Sequence, residues 1–90
     1  MLEKEILINN QSGLHARPAA VFVKTAQQFE ANITICLKDK TVNAKSLLHI
    51  LTLGADKGST IIIRAEGNDE EDAIHALQKT LLSDEFLEKA

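Results

Sequence analysis

Apolar positions along the chain alternate between a period of two and a period near 3.6, and the switches mark the elements. Between Leu2 and Asn9, Ile6-Leu7-Ile8 sits among charged and amide residues and predicts a strand that ends before the loop Asn10-Gln11-Ser12-Gly13. From Ala16 to Phe29, the residues Ala19, Phe22, Val23, Ala26 and Phe29 recur at helical spacing and define a buried stripe. Ile33, Ile35 and Leu37 then alternate with Thr34 and Cys36, the pattern of a strand with one buried face, so Cys36 is expected to point away from the helices. Lys38-Asp39-Lys40 predicts a tight turn into a short strand, Thr41-Val42-Asn43, which completes a hairpin.

The run from Leu47 to Leu53 predicts a short helix, with Ser46 as its N-cap and Gly54 ending it. At ~100° per residue, its five large aliphatic residues cover roughly 220° of the helix surface. An amphipathic surface helix needs about half that width to bury itself on one core. Ile50 and Leu53 are therefore assigned to the core, and Leu47, Leu48 and Leu51 to an outward face available to a partner. Packing of these three leucines under a loop is the alternative. His49 either tunes the rim of that face or is simply solvated.

After the loop Ala55-Asp56-Lys57-Gly58-Ser59, the segment Thr60–Ala65 carries the continuous apolar run Ile61-Ile62-Ile63, which suits an interior strand. Gly67-Asn68 breaks it. Asp69-Glu70-Glu71-Asp72 places acidic residues where a helix N-terminus favours them, so this cluster reads as helix chemistry and not as a metal site. Ala73, Ile74, Leu77 and Leu81 give the final helix its buried stripe, with His75 beside it on the surface. The tail from Ser83 to Ala90 either extends the helix or frays. The resulting order is strand, helix, strand, strand, helix, strand, helix, an α+β layer arrangement with helices on one face of a sheet.

Ninety residues suit a single domain, 1–90, with a modest core. With three Phe and no Trp or Tyr, that core must be aliphatic, and base-stacking platforms are nearly absent. A net charge of -3 further disfavours a nucleic-acid partner. Cys36 is the only cysteine and allows no internal disulfide, so the cytoplasm is the expected compartment. No run approaches the ~20 apolar residues of a membrane span, and neither a signal peptide nor membrane insertion is expected. His15, His49, His75 and Cys36 lack metal-ligand spacing, so neither a metal nor another cofactor is expected.

The candidate chemistry lies in Ser12-Gly13-Leu14-His15-Ala16-Arg17-Pro18-Ala19. Pro18 lacks an N–H and fits the first turn of a helix, where the leading N–H groups have no partner, and Gly13 permits a sharp turn before it. His15 then stands beside free N–H donors and the positive end of a helix dipole, an environment suited to an anion. Arg17 adds a fixed cation whose donor fork matches phosphate oxygens. These positive charges also disfavour a protonated imidazole, leaving His15 available as a nucleophile. From the residues alone, a histidine that merely caps the helix is an equal reading. On the solvent side of the same helix, Arg17, Ala20, Val21, Lys24, Gln27 and Gln28 form either a partner surface or a solvated face.

Gly13-Leu14-His15-Ala16-Arg17-Pro18-Ala19 closely resembles the phosphorylation-site motif of HPr, the family of histidine-containing phosphocarriers of the bacterial phosphoenolpyruvate-dependent sugar phosphotransferase system. Asn43-Ala44-Lys45-Ser46-Leu47-Leu48-His49-Ile50-Leu51-Thr52-Leu53-Gly54 resembles the family's second signature, with Ser46 at its regulatory phosphoserine position. Ala65-Glu66-Gly67-Asn68-Asp69-Glu70-Glu71 resembles the family's entry into its last helix, so the resemblance spans essentially the whole chain. It implies an open-faced sandwich with a four-stranded antiparallel sheet in strand order 1-4-2-3. It also implies a carrier, not a stand-alone enzyme, that accepts a phosphoryl group on Nδ1 of His15 from the phosphoenolpyruvate-charged first enzyme. The group then passes to sugar-specific EIIA-type acceptors. Ser12, Ala16 and Arg17 would surround the phosphate at the helix N-terminus, and Ala20, Lys24, Leu47, Leu48 and Leu51 would meet partners. A serine kinase and regulatory proteins are further implied partners, and the working unit is expected to be a monomer. Gln27 replaces a frequent lysine of the family and implies a weaker positive rim. Two alternatives stand beside this reading: a regulatory binding module of the same fold, which does not need His15, and a carrier in a nitrogen-related branch.

Overall fold

The computed structural model describes residues 1–9, 13–14 and 16–82. Seven elements follow in the order β1 (Leu2–Leu7), α1 (Ala16–Ala26), β2 (Asn32–Leu37), β3 (Lys40–Asn43), α2 (Leu47–Leu53), β4 (Thr60–Glu66) and α3 (Glu70–Leu82). The strands form one antiparallel sheet in the order β1-β4-β2-β3. Strand β4, with its continuous isoleucine run, is an interior strand, paired to β1 on one side and β2 on the other.

Register sorts the side chains onto the two faces. Ile6 opposite Ile61 and Ile35 opposite Ile63 place their side chains under the helices, where all four are buried in the core. Glu3, Arg64, Thr34 and Asn43 form a row on the uncovered face, and the Glu3 carboxylate meets the Arg64 guanidinium at 2.5 Å. Cys36 belongs to this second face, opposite Ile62 and Thr41. It is nevertheless buried, with its Sγ 3.1 Å from the Thr41 hydroxyl.

The core is almost wholly aliphatic: Phe22 on α1, Ile33 and Ile35 on β2, Ile50 on α2, Ile61 and Ile63 on β4, and Leu77 on α3 are all fully buried. Full burial of such a side chain stabilises by about 1.5–3 kcal/mol. On α3 the predicted stripe of Ala73, Ile74, Leu77 and Leu81 is buried and His75 is exposed.

Several boundaries differ from the sequence pattern, β2 and β4 each by one added residue, Asn32 and Glu66. Strand β1 stops at Leu7, but its ladder continues irregularly, with Ile8 N–H donating to Ser59 and Gly58 N–H donating to Ile8, each at 2.7 Å. The first helix stops at Ala26 and not at Phe29, and Gln28 and Phe29 close tighter turns onto the carbonyls of Thr25 and Ala26. Its exit is held from outside: Lys45 Nζ donates to the Phe29 carbonyl at 2.6 Å, and the Asp69 carboxylate accepts from Glu30 and Ala31 N–H at 2.8 and 2.9 Å. The hairpin turn is two residues, Lys38-Asp39, with Lys38 at φ 56, so Lys40 already belongs to β3. The tail, 83–90, lies outside the described residues.

Candidate functional site

Helix α1 begins at Ala16, one residue after His15, and Ala16 and Arg17 are its first two positions. Its leading N–H groups lack intrahelical acceptors. Ser12 and His15 lie outside the described residues. Of Ala16 and Arg17 the structure describes the backbone, and described residues flank this stretch on both sides. Leu14 is fully buried in the core, and its N–H donates to the Ala55 carbonyl at 2.7 Å. Pro18 and Ala19 are buried on the far side.

Gly13 has φ 61, and a Cβ added there would come within 2.5 Å of the Ala55 carbonyl oxygen and 2.8 Å of Asp56 Cα. Glycine is thus required twice, for the left-handed backbone and for the close approach. The loop it touches is closed on itself, with Asp56 N–H donating to Ser59 Oγ and Ser59 N–H donating to the Asp56 carbonyl.

Helix α2 has the caps its sequence predicts. Ser46 sits at φ -113 and ψ 114, and its Oγ accepts from His49 N–H at 3.3 Å; Gly54 closes the helix in the left-handed region at φ 69. Ile50 and Leu53 are buried, whereas Leu47, Leu48 and Leu51 are 42%, 71% and 40% exposed. His49 is exposed on the same helix.

The two helices run in opposite directions beside each other. At one end, the Gln27 side-chain amide, just past α1, donates to the Lys45 carbonyl at 3.0 Å, just before α2. At the other end, Ala55, just past α2, holds Leu14, just before α1. Ala20 and Lys24 are both exposed and share with Gln27 a helical stripe that leads to the start of α2. The C-terminal end of α2, the end nearest Leu51, therefore lies beside the N-terminal end of α1. Gln27 is not merely an absent cation on this rim, because its amide ties the two helices together.

Sequence reading missed two contributors. One is the Gly13-Leu14 contact with Ala55, for which the glycine was the only local signal. The other is Asp69, read as an ordinary acidic helix start. Its carboxylate is held below the usual 3.8 first by the Glu30 N–H and also by the Ala31 N–H and nearby Lys45, against an opposing effect of burial. Glu70, by contrast, does act on its own helix start, accepting from Gly67 N–H at 3.1 Å. That bond, and next the N-terminal ammonium, lower its carboxyl below the usual 4.5. Among the described residues, no group of His, Cys, Asp and Glu is arranged to hold a metal ion. No helix of the described residues is long and apolar enough to cross a membrane.

Comparison with known proteins fits this geometry. Residues 2–83 match the family model for the HPr component phosphorylation site of the phosphotransferase system. The phosphocarrier protein HPr of Buchnera aphidicola subsp. Schizaphis graminum is 53% identical over 81 residues, covering 90% of this chain and 95% of that one. A crystal structure of HPr-C-His from Thermoanaerobacter tengcongensis superposes with a TM-score of 0.91 at 48% identity, over 93% of this chain and 94% of that one. A crystal structure of an HPr dimer from the same organism, also 48% identical, covers 92% of this chain and 95% of that one with a TM-score of 0.74. The sheet order, the helix placement and the whole length of the chain's motifs agree, and the chain belongs to the HPr family of phosphocarriers of the phosphotransferase system.

Proposed function

We propose that this chain is a phosphoryl carrier that accepts a phosphoryl group on His15 from the phosphoenolpyruvate-charged first enzyme and donates it to EIIA-type acceptors. The observation that carries the reading is the family match over residues 2–83, which includes His15, the residue that precedes α1 in the sequence. In the transfer, the Nδ1 lone pair of neutral His15 attacks phosphorus, a P–N bond forms, and the donor's bond to phosphorus breaks. The leaving electron pair returns to the donor. The free N–H groups at the start of α1, the Arg17 guanidinium and the Ser12 hydroxyl are the groups assigned to the phosphoryl oxygens. Such positioning and charge stabilisation account for most of the catalysis of phosphoryl transfer.

Ala20 and Lys24 on α1 and Leu47, Leu48 and Leu51 on α2 are the proposed contact surface for both partners, supported by their exposure on two neighbouring helices. Ser46 is the proposed regulatory phosphorylation site. Its place as N-cap of α2 means that added negative charge meets a helix N-terminus, while facing partners across the adjoining leucines. The proposed working unit is a cytoplasmic monomer.

The test is to incubate wild type and His15→Ala with the phosphorylated first enzyme and weigh the products. Wild type gains one acid-labile phosphoryl group. His15→Ala gains none and keeps its melting temperature. Phosphorylation of His15→Ala at the wild-type rate overturns the assignment.

A further inference from the structure

Consecutive Cα atoms lie about 3.8 Å apart across a trans peptide, so whatever fixes Leu14 and Ala16 restricts the point from which residue 15 is carried. Ala16 is fixed by α1. Leu14 is fixed by full burial of its side chain and by its N–H bond to the Ala55 carbonyl at 2.7 Å. Gly13 presses against Ala55 and Asp56 at a distance that admits no Cβ. The contacted segment is itself anchored at both ends. Gly54 is the C-cap of α2, Ala55 is fully buried, and Gly58 and Ser59 bond to Ile8 at the end of β1.

From these contacts we infer that the segment Gly54–Ser59 is a positioning element for the reaction at His15, with Ala55 as its grip and Gly13 as the residue that lets the grip close. The inference rests on the proposed function. The segment does more than hold a loop. It begins where α2 ends, so the backbone leading to His15 and the helix that carries Leu47, Leu48 and Leu51 are joined through the Leu14–Ala55 hydrogen bond and the close contact of Gly13 with Ala55 and Asp56. A partner seated on the leucines then meets the reacting group at a fixed offset. An Ala55 carbonyl shifted by a Cβ at position 13 changes that offset and leaves the leucine face itself in place. Displacements on the order of 1 Å cost roughly 100-fold in rate for a reaction that depends on positioning. The expected signature is thus a loss in kcat and not in KM.

The opposite end of the sheet supplies the control. A Cβ at Gly67 would come within 2.7 Å of Ala31 Cα, a clash of the same kind remote from residue 13. Gly13→Ala and Gly67→Ala are compared with wild type for the rate of phosphoryl acceptance from the phosphorylated first enzyme, at varied concentrations of the carrier, alongside melting temperature. We expect both variants to melt lower, but only Gly13→Ala to lose kcat, by about 10- to 100-fold, with KM within about threefold of wild type. Equal kcat in the two variants, or a Gly13→Ala defect confined to KM, overturns the positioning role. Should Gly13→Ala fail to fold, replacing the Leu14 amide with an ester removes the bond to Ala55 without adding an atom. A tenfold loss of kcat in the ester supports the role, and an unchanged kcat overturns it. Wild type that accepts no phosphoryl group refutes the proposed function itself, a different outcome from either.

Discussion

Helices α2 and α3 are both rich in aliphatic residues, and they use them differently. On α3, Ala73, Ile74, Leu77 and Leu81 form one narrow stripe, and all four are buried. On α2, only Ile50 and Leu53 are buried, and three leucines remain exposed in a helix of seven residues. Helix propensity does not separate them. The width of the apolar arc does, because a helix lying on one face of a sheet can bury only the side turned toward it. A surplus beyond that width is surface the fold itself does not need.

The starts of the two helices differ as well. Helix α3 opens with Glu70, Glu71 and Asp72, whereas α2 has no acidic residue in its first turn and is capped by the neutral Ser46 hydroxyl. One start is bound into the fold by charge. The other is closed by a neutral hydroxyl.

The largest effect that would sharpen this contrast is on the core side of α3. Leu77→Ala, at a fully buried position, is expected to cost about 2–5 kcal/mol by chemical denaturation. A loss below about 1 kcal/mol would mean that α3 does not anchor the core as described. Leu51→Glu on α2 should leave the denaturation midpoint close to wild type while weakening binding to the first enzyme on the order of tenfold or more, read by calorimetric titration. Unfolding by Leu51→Glu would break the division of α2 into two faces.

Smaller again is the effect at Ser46. Ser46→Ala should destabilise by about 1 kcal/mol through loss of the cap, and Ser46→Asp should keep or slightly raise the melting temperature yet slow phosphorylation of His15. An unchanged rate in Ser46→Asp would leave the residue as a cap alone.

The smallest expected effect concerns acid. Asp69 and Glu70 have carboxyls lowered in the folded state, so the unfolded chain binds more protons as pH falls. The stability they lend is complete above their ordinary values of 3.8 and 4.5, and it is lost as pH drops through their lower folded values. Amide protection, taken relative to the intrinsic exchange rate at each pH, should therefore fall in acid at the start of α3 and at Glu30 and Ala31, and Asp69→Ala should abolish most of that pH dependence at Glu30 and Ala31. Equal acid sensitivity at the start of α2 would remove the distinction between the two helix starts.

Much of this was legible in the sequence, and the physical reason is local periodicity. The caps at Ser46 and Gly54, the split of α2 into core and outward faces, and the interior character of β4 all follow from residues within a few positions of one another. The sheet order required the family resemblance, since no local pattern states which strands pair. What stayed hidden depends on contacts between distant segments. Helix α1 ends early because Lys45 and Asp69 reach its exit from 16 and 38 or more residues away. Likewise, the apolar character of Leu14 did not announce full burial, because a motif read for its chemistry masked a core position.

A carrier role for His15 is tested by treating the wild-type protein with the phosphorylated first enzyme and mapping the modified peptide by mass spectrometry under conditions that preserve acid-labile phosphate. One phosphoryl group is expected, on His15, lost on acid treatment and absent from Ser46 and from the exposed His49 and His75. A stable phosphate on any other residue, or no phosphate at all, would contradict it.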